Sequence, residues 1–440
     1  MRVLLSNLIR RRNRRTILFL FLILLSSTAH ARVYIQVDQV SEKKFPIAIE
    51  NLSATDDRES REWNHTIPDK IRKDLGLCGL FEIVPEEEYP KTPGARSIDP
   101  AQIQFPPWSL IGAQALVKGG YSKQKGGVRV TLSLYDPVLG QRLLSRDYTT
   151  SDKEASLVAH HFADEVMREL TGEAGVFSTK IAYVQSIKKG KEIGVMDMDG
   201  EGAHTITSNK GFALSQAWSP DGSQIAYTTL AIGKDPEIAI VGSGGGPSKM
   251  ITSNKTVNVS PTWSPSGILT IASAMGGDTE IYLLNKTGDV LKKLTDSFGI
   301  DVNPSWSPDG SAFVFASERA GRLHLFKANA TGGNIERLTF VGVQNDNPAW
   351  SPKGDKIVFQ SLEGNWDLFI MNADGSQLQR LTSSAGNNES PTWAPNGRFI
   401  AYSTTRTGKS QIVLMREDGS NQTTLEPEGV LQPAWGPWVK

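Results

Sequence analysis

The sequence predicts an α+β N-terminal domain followed by an all-β, six-bladed β-propeller closed by the C-terminal strand. A motif centred on tryptophan recurs six times in the second half of the chain, whereas the first half mixes strand-like and helix-like hydrophobic patterns without a repeat. The 440 residues also exceed the length at which a single hydrophobic core usually stops growing. We therefore expect a domain at residues 32–172 and a propeller at residues 173–440, behind a signal peptide at residues 1–31.

The repeated tryptophans are spaced by 42 to 45 residues, which is typical of a four-stranded propeller blade. All six stand in a Trp-x-Pro motif, five of them with proline two residues before the tryptophan and two of them followed by Asp-Gly, and these residue types favour a tight turn after a strand. The six residues are Trp218, Trp263, Trp306, Trp350, Trp393 and Trp435. We assign them to packing between neighbouring blades.

The two ends of the repeat complement each other. The first unit, residues 180–207, has three predicted strands but no tryptophan motif before them, and the last motif, residues 431–438, has no strands after it. We expect the C-terminal strand to complete the first blade, because this would pair both free edges and close the ring.

The segment at residues 32–172 has the pattern of a mixed domain. Apolar periodicity predicts a helix at 68–75 and strands at 33–37, 47–49, 80–84, 113–121, 128–135 and 142–148. Ser151 and Glu154 have the spacing of a capping box, so a second helix should begin there and end at Gly172.

The N-terminus has the pattern of an export signal, with six arginines, a short apolar run and a cleavage motif that places the cut between Ala31 and Arg32. The nine apolar residues at 17–25 are too few to span a bilayer, which takes about 20. Loss of the six arginines leaves 41 basic and 47 acidic residues, and this balance disfavours nucleic acid as a partner. We expect a soluble periplasmic protein exported by the Sec route; the alternatives are a retained membrane anchor and twin-arginine export.

No motif predicts catalysis. Cys78 is the only cysteine, no Gly-x-Ser-x-Gly nucleophile motif occurs, and the histidines lack metal-ligand spacing. Residues 197–200 resemble the start of a calcium loop, but Ser208 stands where that loop needs an acidic ligand. We predict no enzymatic activity, no metal and no cofactor. Two alternatives stay open, a propeller-associated hydrolase and a periplasmic propeller that binds glycan or peptidoglycan, which would need aromatic residues at the propeller mouth.

The chain resembles the TolB family, the periplasmic propeller proteins of the Tol-Pal cell-envelope system. The resemblance rests on residues 79–81, 112–117, 159–173 and 177–184 and on the six tryptophan motifs, and it covers nearly all of the mature chain. It implies a non-catalytic scaffold that supports outer-membrane integrity and constriction during cell division. The implied partners are the Pal lipoprotein and TolA, with other outer-membrane lipoproteins and colicins as further candidates. We expect a monomer that meets the membrane only through these partners.

The resemblance also implies two binding sites. The TolA site is the N-terminal segment formed by Arg32, Val33, Tyr34, Ile35, Gln36 and Val37. Its alternating apolar residues could add a strand to a partner's sheet, or could be the first strand of the domain. The Pal site lies at the propeller mouth, in the loops before the inner strands, and comprises Val257, Asn258, Ser260, Asp301, Val302, Asn303, Asn345, Asp346, Asn347, Asn387, Asn388, Glu389 and Ser390. Short polar side chains there could bond an inserted loop, or could be solvated turn residues.

Overall fold

The structure is a computed structural model that describes residues 44–55, 61–125, 127–151, 154–208, 211–383 and 386–438. The predicted signal peptide, the cleavage position at Ala31 and Arg32, and the TolA segment at residues 32–37 lie outside these ranges. Within them, none of the helices has the length and hydrophobicity that a membrane span requires.

The first part of the described chain is a mixed sheet with helices. Its helices are α1 (Arg61–Leu77), α2 (Pro93–Arg96), α3 (Pro106–Leu110) and α4 (Ala155–Thr171), and its strands are β1 (Phe45–Ile49), β2 (Ser53–Ala54), β3 (Phe81–Ile83), β4 (Ala115–Gln124), β5 (Gly127–Asp136) and β6 (Gln141–Thr150). The sheet order is β3-β1-β4-β5-β6, with β2 paired to β4. Strand β1 runs parallel to β3 and β4, whereas β4, β5 and β6 are antiparallel. Helices α1 and α4 pack against each other.

Helix α1 is longer than the predicted helix at 68–75, and Pro68 lies in its interior. Proline cannot donate to the carbonyl four residues earlier, which normally ends or kinks a helix. Here that carbonyl belongs to Asn64, and it accepts a hydrogen bond from the Leu52 amide at 2.9 Å instead. The helix also buries one apolar face, made of Trp63, Ile67, Ile71 and Leu75. Tertiary contacts therefore allow the helix to continue through Pro68, where the sequence pattern predicted its start.

The second part of the chain consists of short strands. They are β7 (Lys180–Ile187), β8 (Gly190–Asp197), β9 (His204–Thr205), β10 (Gly211–Trp218), β11 (Gln224–Ala231), β12 (Glu237–Gly242), β13 (Lys249–Met250), β14 (Asn258–Trp263), β15 (Leu269–Gly276), β16 (Asp278–Leu284), β17 (Val290–Lys293), β18 (Asp301–Trp306), β19 (Ala312–Ser317), β20 (His324–Asn329), β21 (Glu336–Arg337), β22 (Gln344–Trp350), β23 (Lys356–Glu363), β24 (Asn365–Asn372), β25 (Gln379–Arg380), β26 (Asn388–Trp393), β27 (Phe399–Thr404), β28 (Gln411–Arg416), β29 (Thr423–Leu425) and β30 (Val430–Trp435).

These strands form one eight-stranded sheet and four four-stranded sheets. The larger sheet has the order β13-β12-β11-β10-β8-β7-β30, with β9 paired to β8. The others contain β14–β17, β18–β21, β22–β25 and β26–β29, each in chain order and antiparallel. The C-terminal strand β30 pairs antiparallel with β7, with Trp435 opposite Ile181.

The core of this part lies between consecutive sheets. Apolar clusters join each sheet to the next, and representative neighbours are Ile238 and Ile271, Ile281 and Phe315, Leu325 and Phe359, and Leu368 and Tyr402. A sheet of four short strands has two apolar faces and is buried only when another sheet covers each of them. The arrangement is a β-propeller preceded by an α/β segment.

Candidate functional site

The inner strands of the propeller line one cavity of about 460 Å³. They are β10, β14, β18, β22, β26 and β30, and each contributes its tryptophan motif, so that all six repeated tryptophans reach the cavity wall. Trp393 and Trp435 are buried and the other four are partly exposed. The tryptophans thus both pack the sheets together and form part of the lining.

Each inner strand is interrupted at the same place by a β-bulge, where its register with the next strand shifts. The bulge residues have φ between 47° and 55°, and they are Ser215, Ser260, Asn303, Asn347, Ser390 and Gln432. Residues other than glycine and asparagine rarely adopt this backbone conformation. All six line the cavity, so the strained backbone is concentrated around it.

A chain of hydrogen bonds joins three neighbouring inner strands at the cavity. Ser260 Oγ donates to Asn303 Oδ1 at 2.5 Å, and Asn303 Nδ2 donates to Asp346 Oδ1 at 2.7 Å. The Asn347 amide donates to the same carboxylate oxygen at 2.7 Å. Burial raises the pKa of the Asp346 carboxyl, although these two hydrogen bonds oppose the shift. The chain fixes the orientation of the Asn303 side-chain amide, whereas Asn347 takes part through its backbone amide; both residues belong to the predicted Pal site.

Four residues of the predicted Pal site are buried inside the sheets instead of lining the cavity. Asn258, Asp301, Asn345 and Asn388 are at most 1% exposed. They start or stand near the start of their inner strands, and their side chains point into the sheet rather than the cavity lining. They therefore position the mouth loops and are not available as contact residues.

The partners of these buried residues repeat from sheet to sheet. Asn258 Nδ2 donates to Glu237 at 3.0 Å, and Asn388 Nδ2 donates to Asp367 at 2.9 Å. In the two remaining sheets the pairs are Asn345 with His324, at 3.0 Å, and Asp301 with Arg319, at 2.7 Å. A threonine hydroxyl also bonds Glu237 and Asp367, completing a polar network inside the blade.

The other predicted positions lie near the cavity. Val257 is 36% exposed, whereas Val302, Asn387 and Glu389 are partly buried. Val302 packs against the apolar cluster between its sheet and the next. Burial raises the pKa of the Glu389 carboxyl, and the Asn387 side chain opposes this shift through a hydrogen bond. The structure thus brings together the mouth positions from four consecutive inner strands, β14, β18, β22 and β26.

Sequence reasoning missed two aromatic residues at this end of the propeller. Phe298 and Phe340 are 90% and 73% exposed, and they lie in the loops that lead into β18 and β22. The Arg337 guanidinium lies over the Phe340 ring, 5.1 Å from its centre. Their signal in the sequence is an isolated aromatic residue in a short loop, farther from the tryptophan motif than the predicted positions.

Two groups of side chains in the described ranges have ligand atoms close enough to share a metal ion. They are His65 with Asp69 and Glu86, and Asp74 with His160 and Asp199. Basic side chains already pair with both groups: Arg72 lies 2.5 Å from Asp69 and 2.7 Å from Glu86, and Lys70 lies 2.9 Å from Asp199. These cations supply the charge that a metal would otherwise bring.

Comparison with known proteins identifies both parts of the chain. Residues 33–143 match the family model of the TolB amino-terminal domain, and residues 167–439 match that of the TolB beta propeller domain. The Tol-Pal system protein TolB of Polaromonas sp. is 34% identical over 218 residues, which is 49% of this chain and 48% of that protein. The same protein of Nitrosomonas europaea is 34% identical over 211 residues, covering 48% and 47%. The chain therefore spans about half the length of the curated relatives it matches.

A solved structure extends the likeness to nearly the whole chain. The crystal structure of TolB from Acinetobacter baumannii covers 92% of this chain and 100% of its own, with a TM-score of 0.78 and 28% sequence identity. The α/β segment and the propeller therefore occur in the same order in that protein.

Proposed function

Because the chain belongs to the TolB family, we propose that it is a non-catalytic periplasmic scaffold of the Tol-Pal system. In this proposal the mouth of the propeller binds Pal and the N-terminal segment, residues 32–37, binds TolA. The complex would support outer-membrane integrity and constriction during cell division. Export, with cleavage between Ala31 and Arg32, belongs to the same proposal.

The observation that supports Pal binding best is the cavity formed by the inner strands. Its volume is about 460 Å³, and its wall carries the ordered side-chain amide of Asn303 and the neighbouring residue Asn347. Ordered donors and acceptors around a recess favour specific recognition of a polar segment, because they lose little conformational entropy on binding. We assign the contacts to Ser260, Asn303, Asn347 and Ser390, and the adjoining positions to the rim.

We also propose that the propeller has six blades and is closed by β30. The eight-stranded sheet would then be two blades, β10–β13 and β7–β9 with β30, which touch at a single parallel pair, Phe212 and Lys191. The indole hydrogen bonds support this division. Tryptophan Nε1 donates to the preceding inner strand at three junctions: Trp218 to Ala434 at 2.9 Å, Trp263 to Ala217 at 3.3 Å, and Trp393 to Ala349 at 3.0 Å. The bond across the proposed closure therefore has the same form as the bonds at two other junctions.

The domain limits follow from the helix that ends the first part. Helix α4 stops at Gly172, whose φ of 77° suits a C-terminal cap. We place the N-terminal domain at residues 32–172 and the propeller at residues 173–440.

The test is to measure the affinity of the full mature chain for purified Pal by calorimetry. Asn303→Ala and Asn347→Ala should each weaken binding about five- to thirtyfold, the equivalent of about 1–2 kcal/mol for a lost hydrogen bond in a desolvated site. Asn285→Ala is the matched control, because Asn285 follows β16 at the opposite end of its sheet and bonds only within its own turn. Equal affinity of all three variants would contradict the mouth site, and no binding by the unaltered chain would contradict Pal as the partner.

A second candidate, glycan binding, is favoured by Phe298 and Phe340, because exposed aromatic rings are platforms for sugars. Co-sedimentation with purified peptidoglycan distinguishes the two. Retention that is lost in a Phe298→Ala, Phe340→Ala variant would favour glycan, whereas Pal binding without retention would favour the scaffold.

A further inference from the structure

A buried polar cluster joins the N-terminal domain to the first strands of the propeller. It is formed by helix α1, helix α4 and the turn between β8 and β9, which contribute Lys70, Lys73 and Asp74, then His160, then Asp199 and Glu201. Asp74, His160 and Asp199 are at most 4% exposed. Charged groups this deep are tolerated only when their charges are balanced, so the charge count of the cluster matters.

Ion pairs cross between the two parts of the chain. Lys70 Nζ lies 2.9 Å from Asp199 Oδ2, and Lys73 Nζ lies 3.3 Å from the same atom and 2.9 Å from Glu201 Oε1. Lys70 also pairs with Glu201. With Asp74 included, three carboxylates face two ammonium groups. The cluster is therefore neutral only when one further positive charge is present.

His160 is the group that can supply that charge. Its Nδ1 lies 2.7 Å from Asp74 Oδ2, and ligand atoms of Asp74, His160 and Asp199 all lie within 4.8 Å of one another. In the described part of the chain, Asp74 Oδ1 and His160 Nε2 have no hydrogen-bond partner. The Asp74 carboxylate thus has His160 as its one direct hydrogen-bond partner there, and it lies close to a second carboxylate from the propeller.

The electrostatics favour a protonated pair. Burial raises the pKa of Asp74 to about 6, against the hydrogen bond and the charge of His160. Burial by itself would lower the pKa of His160, but the hydrogen bond to Asp74 and the charges of Asp74, Asp199 and Asp197 together raise it. The carboxylates around His160, which come from both parts of the protein, therefore favour its protonated form.

We propose that the pair of His160 and Asp74 is a proton-dependent latch between the N-terminal domain and the propeller. When His160 is protonated, its charge balances Asp74 and Asp199 and the two parts stay docked. When it loses that proton, Lys70 and Lys73 still pair with Asp199 and Glu201, but Asp74 has no cation of its own and the cluster carries one excess negative charge. The repulsion between Asp74 and Asp199 then weakens the contact of α1 with the β8–β9 turn.

The remaining charged groups near the latch do not reverse this effect. Asp197 is paired with Lys180 at 2.5 Å, and its charge adds to the field that retains the His160 proton. Arg416 acts on Cys78, at the end of α1, and is not among the causes of the His160 shift. The neighbouring His161 is exposed on the other side of α4 and acts on Asp164.

Both titrating groups make docking weaker as the pH rises. Because the pKa of His160 is raised in the docked state, its stabilisation is complete below about 6.5 and is lost as the pH rises through the docked value. The charge of Asp199, across the contact, also contributes to the raised pKa of Asp74, so protonation of Asp74 at lower pH removes a repulsion and also favours docking. The latch therefore opens on the alkaline side only.

The experiment uses the full mature chain between pH 6 and pH 9. The pKa of His160 is measured from its imidazole NMR signal, and the protection of α1 and of the β8–β9 turn is measured by hydrogen exchange, corrected for intrinsic exchange rates. Protection of both segments should fall by up to about tenfold for each pH unit between the pKa of the open state and the measured pKa of His160, since one proton is released on opening, and should level off above the measured value. His160→Gln keeps a hydrogen-bond donor for Asp74 but has no imidazole to titrate, so its protection should be low and should lack the transition at the measured His160 pKa, leaving only the contribution of Asp74.

His204→Gln is the matched control, because His204 is exposed beside the same turn and bonds only the Gly202 carbonyl, at 2.7 Å. It should keep the profile of the unaltered chain. The proposal is overturned if protection in the unaltered chain does not change across this range, or if its midpoint does not follow the measured His160 pKa. Both of these measurements use only the unaltered chain, so they do not depend on whether His160→Gln folds. A His160→Gln profile that titrates like the unaltered chain would also overturn it.

Discussion

Deletion of residues 430–440 tests whether β30 closes the propeller, because it removes the inner strand that pairs with β7. Trp435 is 7% exposed, and removal of a buried tryptophan side chain costs about 3–5 kcal/mol. Three indole hydrogen bonds are also lost, each worth about 0.5–1.5 kcal/mol. They run from Trp435 to Thr179 at 2.8 Å, from Trp218 to Ala434 at 2.9 Å and from Trp438 to Gly175 at 2.7 Å. The expected loss of about 5–9 kcal/mol is comparable with the whole stability of a typical domain, about 5–15 kcal/mol.

The assay compares thermal unfolding by calorimetry with near-ultraviolet circular dichroism and soluble yield. We expect the shortened chain to lose its cooperative transition and to aggregate, since β7 becomes an unpaired edge. Deletion of residues 439 and 440 is the control, because it leaves β30 and Trp438 in place. An unchanged unfolding midpoint after the longer deletion would refute closure by β30.

Three further predictions concern buried side chains. Burial raises the pKa of the Cys78 thiol to about 12, so a maleimide should label it only in denaturant, as read by mass spectrometry. Asp346→Asn should raise the midpoint of thermal unfolding at pH 7, because burial disfavours the carboxylate and an amide oxygen can still accept from Asn303. This gain should disappear as the pH falls through the raised pKa of Asp346. A difference in midpoint that does not change with pH would contradict this reasoning. Lys118→Ala should lower the free energy of unfolding in urea by about 3–5 kcal/mol, because it leaves the partly buried Glu50 carboxylate without its ion pair. Adding Glu50→Gln to the same chain should recover part of that loss.

The regular strands could be predicted from the sequence because their signal is repeated. Each tryptophan motif ends a strand, and the turn residues after it limit where the next strand begins. Helix α1 shows where a local rule fails. Pro68 marked a boundary in the sequence, but the Leu52 amide, from the segment that precedes this helix, donates to the carbonyl of Asn64. A hydrogen bond from outside the helix has no signature in the helix's own sequence pattern.

The burial of some mouth residues could also be predicted in part from the sequence. The acid or histidine that starts the third strand of a blade is followed by threonine after 15 residues and by the buried residue after 21, as with Glu237, Thr252 and Asn258 or Asp367, Thr382 and Asn388. This fixed offset distinguishes an internal network from a surface loop, because solvated residues have no reason to keep a constant spacing to a strand. The outward residues, such as Asn303 and Asn347, have no comparable partner in their own blade.

The bulges around the cavity depart from a local backbone preference at the same position in nearly every inner strand. Five of the six residues with positive φ directly precede a proline, a position that favours extended backbone. The sixth, Ser215, precedes Gln216, whose side-chain amide donates to the Ala182 carbonyl at 3.3 Å and to the Gln432 carbonyl of the C-terminal strand. No single strand would adopt this conformation alone, so neighbouring sheets must impose it. Because the strain recurs at the same position in every inner strand, it follows from the way neighbouring sheets pack around the cavity rather than from the sequence of any one strand.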